Sequence, residues 1–238
     1  MHKTLLLLPG LMCDAAAWAP QVQALSTLAT CVVPDYGLCD SLTAMAEQVL
    51  AAAPTPTFAV AGHSMGGRIA LEMLRLAPER VERLALLDTG IHPLAPGEAG
   101  AKERAGRMAL LALARAQGMR VMGAQWARGM VHPSVPGTPL FDAVLDMLER
   151  SSPDQFAAQI NALLTRPDAA DVLPQIACPT LVLCGREDIW SPPEQHQAIA
   201  AAIAGATLCV IERCGHMATV ERPDEVNAAL VAWLGQLP

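Results

Sequence analysis

The run Gly62-His63-Ser64-Met65-Gly66-Gly67 is where this sequence is best equipped for chemistry. It lies between an apolar run, Thr57–Gly62, and a helical pattern, Gly66–Ala77. A serine spaced G-x-S-x-G between strand and helix occupies a sharp, strained turn that exposes its hydroxyl. Side chains at Gly62 and Gly66 would collide where strand and helix converge. The helix N-terminus beside the serine favours developing negative charge. A phosphate-binding loop would need Lys and Ser or Thr where Arg68 and Ile69 stand, and a dinucleotide fingerprint would need glycine at Ser64. The bland alternative is a glycine-rich turn with an incidental serine.

A hydroxyl is a weak nucleophile, so it needs a base and an acid to orient that base. His216, in Cys214-Gly215-His216-Met217, follows the last apolar run and can reach over a sheet edge. The other histidines fit less well. His2 is terminal, His63 is inside the turn, His92 and His132 lie in the irregular middle of the chain, and His196 lies in a helical pattern. For the acid, Asp188 follows the run Thr180–Gly185. Asp88, at the end of Val81–Asp88, competes with it, while the adjacent Glu187 projects differently.

These residues need a frame. Thr4–Leu8, Thr30–Pro34, Thr57–Gly62, Val81–Asp88, Thr180–Gly185 and Ala206–Ile211 are continuous apolar runs, as parallel strands buried on both faces should be. Helical patterns alternate with them at Ala15–Leu28, Leu42–Ala53, Gly66–Ala77, Pro193–Ala204 and Pro223–Leu234. The fold class is therefore α/β, a mostly parallel sheet of about six strands flanked by helices. The alternation stops after Gly90 and resumes in phase at Thr180. The core is placed at 1–90 and 168–238, with a helical cap insertion at 91–167; a separate helical domain is the alternative. Helical stretches are expected there at Ala101–Gln117, Met119–Arg128, Pro139–Arg150 and Pro153–Leu164. The segment leaves the sheet on the Ser64 rim and should cover the site. Its Trp126 and methionines Met108, Met119, Met122, Met130 and Met147 either line a pocket or, for most of them, pack the helices together.

Composition narrows the function. The chain has 238 residues, 53% apolar and 16% charged, which excludes disorder. Aromatics at 3% and a net charge of −7 argue against nucleic-acid binding. The longest uncharged, mostly apolar stretch, Ala198–Ile211, is too short to span a membrane, and Leu5–Leu8 is too short for a signal peptide. The seven cysteines are odd in number and scattered, without a CxxC pair. Cys214 and His216 lack companions for a metal set. The expectation is a cytoplasmic protein with a small-molecule substrate, no metal, no cofactor, no nucleic-acid partner and no membrane partner.

Taken together, the chain resembles the α/β-hydrolase superfamily from about Thr4 to Leu234. The resemblance rests on Leu7–Gly10 followed by Trp18, on Gly62–Gly67, on Gly185-x-x-Asp188 and on Gly215-His216. The order Ser64, Asp188, His216 is the superfamily's chain order. The resemblance implies a serine nucleophile, a histidine base, and an oxyanion hole from the backbone N–H groups of Leu11 and Met65. It implies a small ester, lactone or thioester as substrate. The sequence departs from the family at Pro9-Gly10, where His-Gly is usual, and at Asp35–Ser41, one residue short of the usual pattern. It also begins at the first parallel strand, so the antiparallel N-terminal strands are expected to be missing. The run Ser64–Arg68 is similar to that of the menaquinone-pathway synthase, which implies a second reading: carbon–carbon hydrolysis or a lyase reaction on an acidic substrate. Arg68 could equally pair with Glu72 one turn on. Some members of the superfamily serve as ligand receptors or scaffolds, and turnover of a generic ester separates that class.

Overall fold

The computed structural model describes residues 3–235. His2 and the outer core limits at 1 and 238 lie outside them. Six strands form one sheet: β1 (Lys3–Leu8), β2 (Ala29–Val32), β3 (Phe58–His63), β4 (Val81–Leu87), β5 (Thr180–Gly185) and β6 (Thr207–Ile211). Their order is β2-β1-β3-β4-β5-β6, and all five pairings are parallel. β3 and β5 are buried at every position, which is why they read as unbroken apolar runs. The edge strands β2 and β6 are only partly buried.

The topology itself makes the site. The chain steps from β1 out to β2, then returns to the other side of β1 to begin β3. Where strand order reverses, the connections leave in opposite directions and a crevice opens at the carboxyl ends of the two strands. Leu11 follows β1 into that crevice, and Ser64 follows β3.

Helices α1 (Ala19–Leu25), α2 (Leu42–Ala52), α3 (Met65–Leu76), α8 (Pro193–Ala202), α9 (Ala218–Glu221) and α10 (Pro223–Gly235) belong to the strand–helix alternation. Between β4 and β5 run α4 (Gly97–Gln117), α5 (Met119–Trp126), α6 (Pro139–Glu149) and α7 (Pro153–Leu164). Here α4 packs on α5 and α7, and α5 packs on α6. Ser152 caps α7 by a reciprocal bond with Gln155, and Pro153 opens that helix, as Pro139 opens α6.

Two local expectations are corrected, and one short helix was not anticipated. The pattern Ala15–Leu28 is split into a 3-10 turn, Ala15–Trp18, and α1, because Pro20 cannot donate to the preceding turn. Helix α4 begins at Gly97, four residues earlier than its apolar periodicity suggests. The short α9 has no sequence period to announce it. Among the described residues, no helix is long and apolar enough to cross a membrane.

Candidate active site

Ser64 sits between β3 and α3 with φ 55 and ψ −116, in the left-handed region that a serine rarely adopts. Its N–H is tied to Leu87 O at 2.9 Å, so the sheet holds the strain. A Cβ on Gly62 would come within 2.3 Å of Gly66 O, and one on Gly66 within 2.1 Å of Leu8 O. Strand, turn and helix thus converge as the glycine spacing anticipates.

The loop from β6 to α9 carries His216, which is buried. Its Nε2 lies 2.8 Å from Ser64 Oγ and its Nδ1 2.7 Å from Asp188 Oδ2. The other Asp188 oxygen accepts the N–H groups of Trp190 and Ser191 at 2.9 and 3.0 Å. Burial pushes the Asp188 carboxyl up, but the His216 ring and these N–H groups outweigh it and hold the pKa below the usual range. An ionised Asp188 requires the His216 proton on Nδ1. The Nε2 lone pair is then left to accept the Ser64 hydroxyl proton.

Asp88 goes elsewhere. It is fully buried, and its Oδ1 accepts the Gly185 N–H at 2.9 Å. Its Oδ2 has no hydrogen-bond partner among the described residues and stands 3.8 Å from His63 Nε2. Burial, reinforced by the Asp188 charge, raises its pKa well above the carboxylate range. Glu187 accepts the Cys214 N–H at 2.8 Å instead. His63 donates Nε2–H to the His216 carbonyl at 2.6 Å, and burial drops its pKa to about 4. His196 accepts the Thr89 N–H at 3.0 Å, a structural duty.

A cavity of about 970 Å³ opens over Ser64 and is bordered by Leu11 and Met65. Met65 is the first residue of α3, so its N–H has no partner within the helix. Trp126 and Met130 reach the cavity from the inserted segment. Met119, Met122 and Met147 are buried instead in its packing, and Met108 is exposed. Trp126 stacks on Trp190 at 5.1 Å, and Trp190 turns its edge to His216 at 5.1 Å. The sequence gives no periodic signal for Trp190; its place follows from the turn that carries Asp188. Cys13 also borders the cavity, but burial pushes its thiol up to about 12 and keeps it protonated. Among the described residues, no group of three or more His, Cys, Asp or Glu side chains could hold a metal ion.

One part of the cavity wall is cationic. Arg68, Lys102, Arg107 and Arg166 line it with a single carboxylate, Glu103. Arg68 does not pair with Glu72, which is buried and takes Arg75 at 3.1 Å and Thr43 at 3.1 Å. Arg68 and Arg166 instead both donate to the His92 carbonyl, at 2.9 and 3.1 Å. Glu103 is occupied by Arg166, at 2.8 and 2.9 Å, and by Arg107 at 2.9 Å. Burial and the neighbouring Arg166 lower the Arg68 pKa to about 9. Lys102, Glu103, Gly106, Arg107 and Leu110 recur at helical spacing on α4, a face whose polarity hid it from a search for apolar stripes.

Comparison with known proteins places these features in context. The profile described as Alpha/beta hydrolase family matches residues 5–229. The chain is 28% identical to the protein named "Putative carbamate hydrolase RutD" of Rhizobium rhizogenes, over 98% of this chain and 92% of that one. It is 30% identical to 2-hydroxy-6-oxononadienedioate/2-hydroxy-6-oxononatrienedioate hydrolase 1 of Pseudomonas putida, over 74% of this chain and 62% of that one. Among solved structures, a thermophilic esterase from Thermogutta terrifontis superposes with a TM-score of 0.88 at 27% identity, covering 98% of this chain and 90% of that one.

Proposed function

From its place in the alpha/beta hydrolase family, to which the chain belongs, we propose that it is a serine hydrolase cleaving a small carboxylic ester, lactone or thioester through an acyl-enzyme intermediate. The carrying observation is the continuous hydrogen-bonded line from Ser64 Oγ through His216 to Asp188, at 2.8 and 2.7 Å. Ser64 Oγ attacks the carbonyl carbon while His216 Nε2 takes its proton. Asp188 holds the ring in its Nδ1–H form and stabilises the imidazolium. The Leu11 and Met65 N–H groups receive the oxyanion, each such donor contributing about 3 kcal/mol to the transition state. His216 then returns the proton to the leaving group, and water repeats the sequence on the acyl-enzyme. Residues 91–167 act as a cap that excludes water and shapes the pocket. Seven unpaired cysteines support a reducing location, the cytoplasm. Turnover of p-nitrophenyl acetate by the wild type, and its loss in Ser64→Ala, tests this reading and separates an enzyme from a receptor on the same fold.

The cationic wall supports a second reading, carbon–carbon hydrolysis or a lyase reaction on an acidic substrate. The dioate in the name of the Pseudomonas putida relative fits such a substrate. An Arg68 guanidinium without a carboxylate partner would meet a substrate carboxylate. The test is a pair of substrates, the mono-p-nitrophenyl ester of glutaric acid and its neutral methyl ester, together with a β-diketone acid. Preference for the charged partner, lost in Arg68→Gln, supports an acidic substrate; cleavage of the diketone selects carbon–carbon chemistry.

A further inference from the structure

We propose that His63, the residue before Ser64, is a positioning residue for His216: its Nε2–H fixes the backbone from which the His216 ring projects. The inference rests on the reading of His216 as the base that serves Ser64.

A peptide group is a rigid plane that contains the Cα atoms at both its ends. Two such planes meet at the His216 Cα, and together they set where its Cβ points. Both are held from outside. The plane before the Cα is tied by the His216 N–H, which donates to Met130 O at 2.7 Å. The plane after it is tied twice. Its oxygen, His216 O, accepts His63 Nε2–H at 2.6 Å, and its N–H, that of Met217, donates to Glu221 Oε1 at 3.0 Å. Met130 lies between α5 and α6, and Glu221 ends α9, the helix that the His216 loop leads into. Of the three, only His63 belongs to the sheet: it is the last residue of β3, and Ser64 is the next residue on. Nucleophile and base are thereby placed against each other through two consecutive residues.

The state of the His63 ring suits this duty. A carbonyl only accepts, so the proton sits on Nε2 and the lone pair on Nδ1. Asp88 Oδ2, at 3.8 Å, is too far to compete for that proton. Burial, and after it the His216 ring, lower the His63 pKa to about 4. A neutral His63 puts no second positive charge beside the His216 imidazolium, whose ring centroid is 5.3 Å away. The Nδ1 atom has no hydrogen-bond partner among the described residues, and a Cβ added to Gly10 would lie 3.0 Å from it. His63 is 1% exposed, so water does not reach that atom either. An apolar side chain would avoid the cost of an unpaired buried nitrogen. The Nε2–H is what such a side chain could not supply. Without it, the buried His216 carbonyl loses its donor, and its peptide plane pivots about the remaining bond to Glu221. The His216 Cα lies in that plane and moves with it. A shift of about 1 Å in a reacting group is enough to cost on the order of 10²-fold in rate.

His63→Met keeps the reach of the side chain and removes the donor. We expect kcat for p-nitrophenyl acetate, per active site titrated with a fluorophosphonate, to fall about ten-fold or more, with KM within about two-fold. His63→Gln puts an amide N–H where Nε2 stands and should bring kcat back to within about three-fold of wild type. The His216 Nδ1–H, bonded to Asp188, gives a separate signature as a far-downfield proton resonance. It should broaden or vanish in His63→Met and persist in His63→Gln. If His63→Met yields no folded protein, His63→Asn takes its place on the same criteria, because its amide is too short to reach the carbonyl. The proposal is overturned if the variant without the donor keeps its kcat, or loses kcat with the resonance unchanged. It is also overturned if His63→Gln is as impaired as His63→Met, since the ring would then act by packing alone. Failure of the underlying hydrolase reading registers separately, as turnover surviving in Ser64→Ala, and takes this proposal with it.

Discussion

Asp88 and Asp188 follow neighbouring strands of one sheet, yet their carboxylates serve different partners: Asp188 accepts the His216 Nδ1–H at 2.7 Å, and Asp88 accepts the Gly185 N–H at 2.9 Å. The difference sorts the two residues chemically. The His216 ring beside Asp188 holds its carboxyl below the usual carboxylate range, whereas burial raises that of Asp88 well above it. Asp188→Asn should therefore reduce kcat by about 10⁴-fold, through the wrong His216 tautomer. Asp88→Asn, close to the protonated acid in shape, should stay within a few-fold of wild type in the same assay.

The raised Asp88 pKa also predicts a pH dependence of stability. Below about 3.9, the carboxyl is protonated in both folded and unfolded chains and costs nothing. As pH rises, the unfolded state releases its proton while the folded state retains it, so stability falls. Asparagine does not titrate. Asp88→Asn should raise the unfolding midpoint at pH 8, and the gain should shrink toward pH 4. A gain that grows on acidification would contradict the burial argument.

Residues of the segment between β4 and β5 also grip the loop that carries His216. His216 N–H donates to Met130 O at 2.7 Å, and the two Glu221 oxygens accept from Met217 N–H at 3.0 Å and His132 N–H at 2.7 Å. Glu221→Ala leaves two partly buried N–H groups without acceptors. It should cost about 2–4 kcal/mol in urea unfolding, and it should lower kcat more than it raises KM. Glu221→Gln, which keeps one acceptor oxygen, should recover part of both.

Trp126 lines the cavity and stacks on Trp190, so its truncation should be read in substrate choice. In Trp126→Ala, the ratio of kcat/KM for a bulky acyl ester to that for an acetyl ester should shift by about ten-fold, the effect of a lost aromatic wall. The same variant should retain most of its thermal stability. A fall in melting temperature with an unchanged substrate profile would make the tryptophan pair a structural buttress.

Sequence carried the frame well because its signals are periodic. Buried parallel strands read as unbroken apolar runs, and the glycines at 62 and 66 mark contacts of 2.3 and 2.1 Å that no side chain could enter. Ser64, Asp188 and His216, which the structure brings into one hydrogen-bonded line, stand out in the sequence because each follows a strand end, on the rim that parallel connections share. What the sequence left open has no period. Choosing between Asp88 and Asp188 depends on which loop His216 leans toward. Arg68 looked equally suited to Glu72, and the structure shows Glu72 already taken by Arg75 and Thr43. His63 and Glu221 act on backbone groups far away in sequence, and nothing local marks such contacts.

The central claim is that Ser64 is the nucleophile, and covalent labelling tests it most directly. The wild-type protein should be incubated with a fluorophosphonate, digested and mapped by mass spectrometry. A single adduct is expected, on the peptide containing Ser64, with none in Ser64→Ala and with ester turnover at least about 10³-fold lower in that variant. An adduct on another serine, or full turnover in Ser64→Ala, would contradict it.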